Sequence, residues 1–409
     1  MAAGCVIVGN GQAGFETAAA LRAEGYQEPI ALIGEERHLP YQRPPLSKGF
    51  ILDKQGMDEI ELRPDAFFSD HRIDLVTGDR VTAIERQERR VRLASGSIKS
   101  YDVLVLACGA RNRQLPVDGA ELDGVLYLRT LDESIAVKQR LHDANAIVVV
   151  GGGFIGLEIA ASARSLGKTV TVLEAQPRLM PRVVAPLVST FYGTLHAARG
   201  VTVVCNASVS GIGGDDAHRA RSVQLANGAS YPADLVVVGI GVVPNAELAR
   251  DAGLDTGNGI LVDEHLQTAD PAIFAIGDCA DHPNPYAGAR VRLESVQNAA
   301  DQGRTVAATI AGRRAPYHAV PWFWTDQFDV RLQMAGLSRG YEEAVTRGNP
   351  DAQRFSVYYF KQSRLIAVDS INRPADHIVA RRLLASHAPV TPAQAADETV
   401  NLKDLRYVP

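Results

Sequence analysis

Cysteine is scarce in this chain of 409 residues. The sequence contains no Cys-x-x-Cys pair and no cluster of ligands that could hold zinc or an iron-sulfur centre. Its four cysteines lie far apart, at Cys5, Cys108, Cys205 and Cys279. Any iron-sulfur centre with which the protein works must therefore belong to another molecule.

The chain also lacks a strong excess of one charge and lacks long apolar runs. Its formal net charge of -5 argues against bulk attraction to nucleic acid or to an acidic membrane surface. No apolar run reaches the length of a transmembrane helix, and no basic segment followed by a long apolar stretch opens the chain. We therefore expect no nucleic-acid partner, no membrane partner, and a reducing, cytoplasmic setting.

The composition is that of a globular protein, with 46% hydrophobic and 22% charged residues, and its order is repetitive. An apolar run at residues 4–8 is followed by glycines, a helical pattern at 15–24 and another apolar run at 30–33. The same order of strand, glycines, helix and strand returns between residues 146 and 173. Two βαβ units of this kind predict an α/β fold with two parallel-sheet domains.

The stretches around the second copy predict that the first domain is discontinuous. Predicted strands between residues 81 and 107 precede the second copy, and an apolar strand at 273–276 and a helix at about 294–310 follow it. We predict the following boundaries: residues 1–108 and 243–319 for the first nucleotide domain, and 109–242 for the second, which is inserted into it.

A change of texture after Pro321 predicts a third domain. Aromatic residues cluster there, and two runs at 355–360 and 364–369 are typical of paired strands. We assign residues 320–409 to a C-terminal α+β domain. The composition of residues 388–396 predicts loose order in that stretch.

The first glycine motif, in VIVGNGQAGFE, has the spacing of a dinucleotide-binding turn. Gly9 makes the tight turn, Gly11 admits a pyrophosphate to the backbone, and Gly14 allows the helix to pack closely on the strand. Glu35 follows the next predicted strand, where a carboxylate can accept hydrogen bonds from an adenosine ribose. This segment is therefore a candidate dinucleotide site.

The second motif, in VVVGGGFIGLE, repeats the spacing at Gly151, Gly153 and Gly156. Glu174 closes the following strand, and an acid there favours the free ribose hydroxyl of NADH over the phosphate of NADPH. Arg178 and Arg182 follow nearby, so a mixed preference stays open. Two dinucleotides on paired domains allow transfer of a hydride between a nicotinamide and a second redox ring.

Further motifs assign the flavin by resemblance. TADPAIFAIGDCA, LVLACGARNRQLP and GIGVVPN resemble signatures of the pyridine-nucleotide-linked flavoprotein reductases, and Cys108 replaces the usual threonine of the second. YQRPPLSK, YLRTLDE, ESVQNA and PWFWTDQ resemble the ferredoxin reductases of bacterial monooxygenase and dioxygenase systems. The resemblance spans essentially the entire chain, and it implies a glutathione reductase-like fold with FAD on the first motif and NADH on the second.

The resemblance also implies roles for individual residues. Lys48 would lie beside the flavin and pair with Glu158 on the nicotinamide side, and these two are the candidate catalytic residues. Trp324 would lie near the flavin, although tryptophans at alternate positions 322 and 324 are equally typical of an ordinary core. The remaining implied cofactor contacts are Ala13, Glu35, Arg43, Val81, Arg129, Ile155, Gly241, Gly277, Asp278 and Val296.

The electron acceptor is the last expectation from the sequence. The segment PYQRPPLSKGF lacks the cysteine that thiol-using relatives of this fold carry, so electrons would leave the flavin for another molecule. The resemblance implies a 2Fe-2S ferredoxin, docked through Arg304, that feeds a haem or Rieske oxygenase. Arg313 and Arg314 are possible additions, although a solvated helix face explains both. A rubredoxin or a small organic acceptor, or an NADH-sensing binding protein resembling apoptosis-inducing factor, stay open as alternatives.

Overall fold

The computed structural model describes residues 3–405, which form two compact units. The first unit consists of residues 3–42, 57–111 and 243–323, and the second consists of residues 43–56, 112–242 and 324–405. Each unit contains one copy of the repeated βαβ pattern on a five-stranded parallel sheet. The fold is α/β with two Rossmann-like domains and a C-terminal α+β domain.

The parallel sheet of the first unit is built from short, apolar, buried strands. Its strand order is Ile273–Ala275, Val103–Leu106, Cys5–Val8, Ile30–Ile33 and Ile73–Val76. Strands that are apolar along their whole length are expected where helices cover both faces of a parallel sheet. The helices of this unit are Gln12–Ala23, Met57–Ile60, Asp65–Asp70, Glu247–Asp251 and Val296–Ile310.

Two smaller sheets accompany this parallel sheet. One contains Val81–Glu85, Arg90–Leu93 and Ile98–Ser100, and the other contains Thr256–Gly257, Gly259–Leu261, Ala280–Asn284 and Ala289–Val291. A two-stranded sheet pairs Ala110–Asn112 with Val242–Pro244, and the boundaries between the units fall within these strands. A 3-10 turn, Gly277–Cys279, follows the edge strand of the parallel sheet.

The second unit repeats the parallel arrangement and adds antiparallel sheets. Its parallel order is Val201–Cys205, Thr169–Glu174, Ala146–Val150, Leu235–Val238 and Val125–Tyr127. The strands Val209–Gly214, Ala220–Leu225 and Ser230–Pro232 form a three-stranded sheet. Its helices are Leu131–Asp143, Phe154–Ser165, Pro186–Ala198, Pro374–Ala385 and Pro392–Ala396, with 3-10 turns at Pro44–Ser47 and Leu402–Asp404.

The C-terminal sheet has five strands. Their order is Trp322–Gln327, Val330–Gly336, Arg364–Ile371, Arg354–Lys361 and Glu343–Asn349. The strands Arg354–Lys361 and Arg364–Ile371 form a hairpin whose loop is Gln362 and Ser363. The φ values of these two residues, 48° and 58°, are those of the tight turns that match the twist of the strands. The two predicted strands of this hairpin are confirmed, and each is two residues longer than the sequence indicated.

The prediction of loose order at residues 388–396 is wrong. Pro392–Ala396 is a short helix that begins with a capping box between Thr391 and Gln394, and Ala395 is fully buried. The buried guanidinium of Arg347 donates hydrogen bonds to the carbonyl oxygens of Ala395 and Val400 at 3.3 and 3.0 Å. Residues 388–396 are mostly small and have no clear hydrophobic pattern. Their sequence therefore did not indicate that Arg347, about 50 residues earlier in the chain, fixes this segment.

Candidate functional site

The first glycine motif forms a turn at which two positions admit only glycine. Gly9 has a φ of +109°, and its N–H donates to the carbonyl oxygen of Ile33 at 2.7 Å. A Cβ on Gly9 would lie 2.1 Å from the carbonyl oxygen of Ala107, and a Cβ on Gly14 would lie 1.9 Å from that of Gly9. Gly9 therefore makes the turn and Gly14 brings the helix onto the strand.

Gly11 has the opposite surroundings. A Cβ on Gly11 would meet none of the described residues within 4 Å. Gly11 caps the helix Gln12–Ala23, where no described side chain accepts a hydrogen bond from the first turn. The backbone therefore leaves room and amide donors for an anionic group, as the pyrophosphate of a dinucleotide requires. We call Gly9, Gly11 and Gly14 the first cradle.

The three glycines of the second motif have the same environments as the corresponding glycines of the first. Gly151 has a φ of +113°, and its Cβ would lie 2.4 Å from the carbonyl oxygen of Gly239. A Cβ on Gly156 would lie 2.1 Å from the carbonyl oxygen of Gly151, whereas one on Gly153 meets no described atom within 4 Å. We call Gly151, Gly153 and Gly156 the second cradle. Each unit thus carries a cradle that fits a dinucleotide.

Glu174 lies directly beside the second cradle. Its side chain is buried, and its Oε2 accepts a hydrogen bond from the N–H of Gly152 at 2.7 Å. Its Oε1 accepts one from the N–H of Gln176 at 2.8 Å. A carboxylate has about four acceptor positions, so Glu174 can hold the loop and still receive ribose hydroxyls.

Arg178 is occupied in shaping that loop. Its guanidinium donates to the carbonyl oxygens of Val184 and Pro181, each at 2.8 Å, and to the Oγ of Ser189 at 2.6 Å. These contacts use three of the five guanidinium donors, so Arg178 has a structural role in this loop. Arg182 lies near Gly241 instead, with its Nη2 3.4 Å from the position of a Cβ on that glycine.

The predicted flavin residues of the first unit lie at the ends of its elements or in turns. Ala13 belongs to the helix of the first cradle, and its Cβ lies 3.1 Å from the position of a Cβ on Gly277. Asp278 follows Gly277 in the 3-10 turn. Val81 and Val296 are the first residues of a strand and of a helix, and Glu35 lies exposed just after Ile30–Ile33.

Gln302 fixes the turn that carries Asp278, and the sequence did not single it out. Gln302 is fully buried, and its Oε1 accepts a hydrogen bond from the N–H of Gly277 at 2.7 Å. Its Nε2 lies 3.3 Å from the Nδ1 of buried His282, whose pKa burial lowers to about 4. The same helix also buries the polar side chains of Gln297 and Asn298, so the sequence carried no signal that distinguished Gln302.

Lys48 and Glu158 meet within the second unit. The Nζ of Lys48 lies 2.9 Å from the Oε1 of Glu158, and only 3% of the Glu158 side chain is exposed. The hydroxyl of Ser47 donates to the other oxygen of Glu158, and the Oγ1 of Thr325 donates to Oε1 at 2.7 Å. Glu158 lies on the helix that begins at the second cradle, so the pair is tied to that nucleotide site.

The other predicted residues of the second unit occupy separate positions. The Nη1 of Arg43 donates to the carbonyl oxygen of Arg129 at 2.5 Å, just before the capping box of Leu131–Asp143. Ile155 is 43% exposed in the first turn of the helix Phe154–Ser165, between Gly153 and Gly156 of the second cradle. Trp324 is half-buried in its strand. The structure brings Arg43 to Arg129 and Lys48 to Glu158, and the cofactor roles of all four stay predictions.

The arginines considered for docking all form ion pairs. Arg304 is 53% exposed and contacts Glu16 at 3.0 Å and Asp301 at 2.5 Å. Arg313 pairs with Glu24. Arg314 lies 3.6 Å from Asp263.

Three further properties concern metal ligands, membrane helices and thiols. Within residues 3–405, no cluster of three or more His, Cys, Asp or Glu side chains could hold a metal ion. No helix in this part of the chain is long and apolar enough to cross a membrane. All four cysteines are free thiols.

Two cradles of this form define a protein that binds two dinucleotides. Residues 4–303 match the family profile of pyridine nucleotide-disulphide oxidoreductases, and residues 322–406 match the reductase C-terminal profile. The chain belongs to the pyridine nucleotide-disulphide oxidoreductase family. It is an oxidoreductase whose cofactors are FAD and NADH.

The comparisons with individual proteins extend over nearly the whole chain. Rhodocoxin reductase of Rhodococcus erythropolis is 48% identical and aligns over 97% of this chain and 93% of its own. Putidaredoxin reductase CamA of Pseudomonas putida is 42% identical, with 98% and 96% covered.

Solved structures of similar proteins agree with this assignment. A ferredoxin reductase for the CYP199A2 system of Rhodopseudomonas palustris has a TM-score of 0.96 at 47% identity, with 98% of each chain covered. The reductase chain in a covalent putidaredoxin reductase–putidaredoxin complex also has a TM-score of 0.96, at 41% identity, with 98% and 97% covered.

Proposed function

We propose that the protein is a cytoplasmic NADH-dependent ferredoxin reductase. It takes electrons from NADH through FAD and passes them to a 2Fe-2S ferredoxin that supplies a haem or Rieske oxygenase. NADH supplies a hydride, and FAD accepts it and can release electrons one at a time. The observation that carries the proposal is the pair of Lys48 with Glu158, which lies on the helix of the second cradle.

The chain's own residues bind and orient the cofactors. In the first unit, the first cradle, Glu35 and Asp278 hold FAD, and Gln302 keeps the Asp278 turn in place. In the second unit, the second cradle and Glu174 hold NADH, and Glu158 orients its carboxamide. Lys48 is a cation that stabilises the electron-rich reduced flavin. In the first unit, Val81 and Val296 are further flavin contacts of this proposal, and in the second unit Ile155 and Gly241 are further contacts to NADH. The flavin roles that the family resemblance implies for Arg43, Arg129 and Trp324 stay predictions.

The identity of the acceptor is supported by the similar proteins. Their names include reductases of rhodocoxin and putidaredoxin and the ferredoxin–NAD(+) reductase of an anthranilate 1,2-dioxygenase system. Two others are named rubredoxin-NAD(+) reductases, each 39% identical over 90% of this chain. A rubredoxin is therefore the second candidate acceptor.

A competition between acceptors tests this proposal. The enzyme is reduced anaerobically with one equivalent of NADH and mixed in a stopped-flow instrument with a 2Fe-2S ferredoxin, a rubredoxin or ferricyanide. We expect rapid flavin reoxidation by the ferredoxin. Reoxidation by rubredoxin alone would assign the second acceptor, and a reaction with ferricyanide alone would contradict both.

Docking through Arg304 gives a matched pair of variants. Arg304→Gln removes the cation that pairs with Glu16 and Asp301, whereas Arg313→Gln removes a cation of the same unit that pairs with Glu24. We expect the first to slow reduction of ferredoxin about tenfold, with a weaker dependence on salt, and to leave reduction of ferricyanide intact. Equal slowing by both variants, or equal loss of both activities, would count against this docking position.

A further inference from the structure

A chain of buried polar side chains leads from the Lys48–Glu158 pair into the second unit. Thr325, Gln327 and His196 are fully buried, and Glu158 is 3% exposed. Buried polar groups are costly unless they are hydrogen-bonded, so a row of them is retained only where its members satisfy one another. Thr325 and Gln327 alternate along one strand and thus point from the same face.

Each member of the chain is within hydrogen-bond distance of the next. The Nε2 of His196 lies 2.9 Å from the Oε1 of Gln327. The Nε2 of Gln327 donates to the Oγ1 of Thr325 at 3.3 Å, and that oxygen lies 2.7 Å from the Oε1 of Glu158. Since Ser47 donates to the other oxygen of Glu158, the carboxylate is held on both sides.

The chemistry of the groups fixes the direction of these bonds. The carboxylate of Glu158 only accepts hydrogen bonds, so Thr325 donates its single hydroxyl hydrogen to it. Thr325 then has only acceptor capacity left, which the amide N–H of Gln327 uses. Gln327 therefore presents its oxygen to His196, and His196 carries its proton on Nε2. Burial lowers the pKa of His196, in agreement with this neutral form.

We infer that Thr325 is a positioning residue for Glu158, and that Gln327 and His196 set the direction of its hydroxyl. Every donor in the chain points toward Glu158, so the bonds polarise one another in the same sense. The inference rests on the proposed function, in which Glu158 orients the carboxamide of NADH. It gives the C-terminal strand a part in the reaction with NADH, separate from any part played by its tryptophans.

The first test compares three substitutions in the NADH half-reaction. Thr325→Val keeps the branched shape and removes the hydroxyl, Thr325→Ser restores it, and Ser356→Ala removes a fully buried hydroxyl elsewhere in the same sheet. The limiting rate of flavin reduction is measured by anaerobic stopped flow, and the dissociation constant of NAD+ by titration calorimetry.

We expect Thr325→Val to lower the limiting rate about tenfold and to weaken NAD+ binding about threefold. Thr325→Ser should recover most of both, and Ser356→Ala should change neither. Gln327→Leu, which removes the donor behind Thr325, should act in the same direction with a smaller effect of about threefold. Unchanged values in Thr325→Val, or equal losses in Ser356→Ala, would overturn the inference.

A double-mutant cycle separates positioning from a general structural effect. If Thr325 acts through Glu158, adding Thr325→Val to Glu158→Gln should cost little beyond Glu158→Gln alone. If the loss of rate in the double variant equals the product of the losses in the two single variants, the two residues act independently, and the inference would be overturned. Wild-type protein that NADH cannot bleach would instead count against the proposed function, so the two failures are distinguishable.

Discussion

The two cradles have the same backbone geometry, but the residues that follow the second strand of each βαβ copy differ. The N–H of Gly9 donates to the carbonyl oxygen of Ile33 at 2.7 Å, and the N–H of Gly151 donates to that of Leu173 at 2.8 Å. In each copy the acceptor is the last residue of the second strand that pairs with the first. The next residue is Gly34 in the first copy and Glu174 in the second. Equivalent positions thus carry no side chain in one copy and a buried carboxylate in the other.

The difference arises from the residue inside each turn. Asn10 lies over Gly34, where a Cβ would be 2.1 Å from its Cγ, so the acid of the first copy appears one residue later, at exposed Glu35. Gly152 has no side chain, and Glu174 closes over it and accepts its N–H. Glu174 therefore holds its own loop in addition to the role proposed for it at the ligand, whereas only the proposed ligand role is assigned to Glu35.

The largest expected effect is selective loss of one cofactor. Gly11→Ala and Gly153→Ala each add a methyl group in open space, so both should fold. The methyl group would occupy the place of a pyrophosphate, and we expect affinity to fall about 100-fold for FAD in the first variant and for NAD+ in the second.

Calorimetry on the apoprotein and holoprotein measures both affinities. Gly193→Ala is the matched control, since that glycine also has no described atom within 4 Å of its Cβ position but lies within the helix Pro186–Ala198. A variant that loses both cofactors equally would contradict the division between the copies.

The two acids should differ in what their loss costs. Glu174→Gln places an amide group against two backbone donors, so we expect about 1–2 kcal/mol lower stability and about tenfold weaker NAD+ binding. Glu35→Gln should change stability by less than about 0.5 kcal/mol and weaken FAD severalfold. Urea unfolding of the apoproteins provides the comparison, and equal destabilisation by both variants would remove the distinction between them.

A third prediction concerns the first copy alone. Gln302→Leu removes the acceptor of the buried Gly277 N–H, which should cost about 1–3 kcal/mol of stability. The loosened Asp278 turn should weaken FAD about fivefold while NAD+ binding by the second unit is unchanged. Fluorescence titration of the apoprotein with FAD measures the first effect, and a matching loss of NAD+ binding would argue against a local role.

The smallest expected effects are opposite responses of the two units to pH. Buried His282, in the first unit, has a pKa lowered to about 4, so its stabilising contribution is lost as pH falls from 6.5 toward 4. Buried Asp369, in the second unit, has a pKa raised to about 7 by burial, and the hydroxyl of Tyr359 donates to it. Its contribution is lost as pH rises from 3.8 toward 7.

Denaturation at several pH values tests these signs. Relative to wild type, the stability of His282→Gln should rise on going from pH 7 to pH 5, and the stability of Asp369→Asn should rise on going from pH 4 to pH 8. The exposed residues His318 and Asp351 provide matched controls as His318→Gln and Asp351→Asn. Parallel pH responses of the two buried-site variants would contradict the assignment.

The sequence predicted the parts of this architecture that depend on local pattern. The strand Ile30–Ile33 was predicted to the residue, because a short apolar run that ends at a glycine is typical of a buried parallel strand. The glycine spacing indicated both cradles. Resemblance to a family, rather than spacing, suggested that Lys48 and Glu158 meet.

Contacts between distant segments were beyond the reach of the sequence. Arg347 fixing the stretch near Ala395, Gln302 holding Gly277, and Thr325 holding Glu158 each join residues far apart in the chain. A glutamine or threonine in a helix or strand is usually an exposed polar residue, so its type alone does not reveal a buried partner. The sequence likewise could not show that the guanidinium of Arg178 donates hydrogen bonds within the loop that follows Glu174.

The most direct test of the account is an anaerobic titration of the purified protein with NADH, followed by visible absorbance. We expect one flavin per chain that bleaches with one equivalent of NADH, and in Gly153→Ala a flavin that dithionite bleaches fully but one equivalent of NADH bleaches far more slowly than in the wild type. A purified protein without flavin, or a flavin that NADH leaves oxidised, would contradict the claim that the two cradles divide FAD and NADH between them.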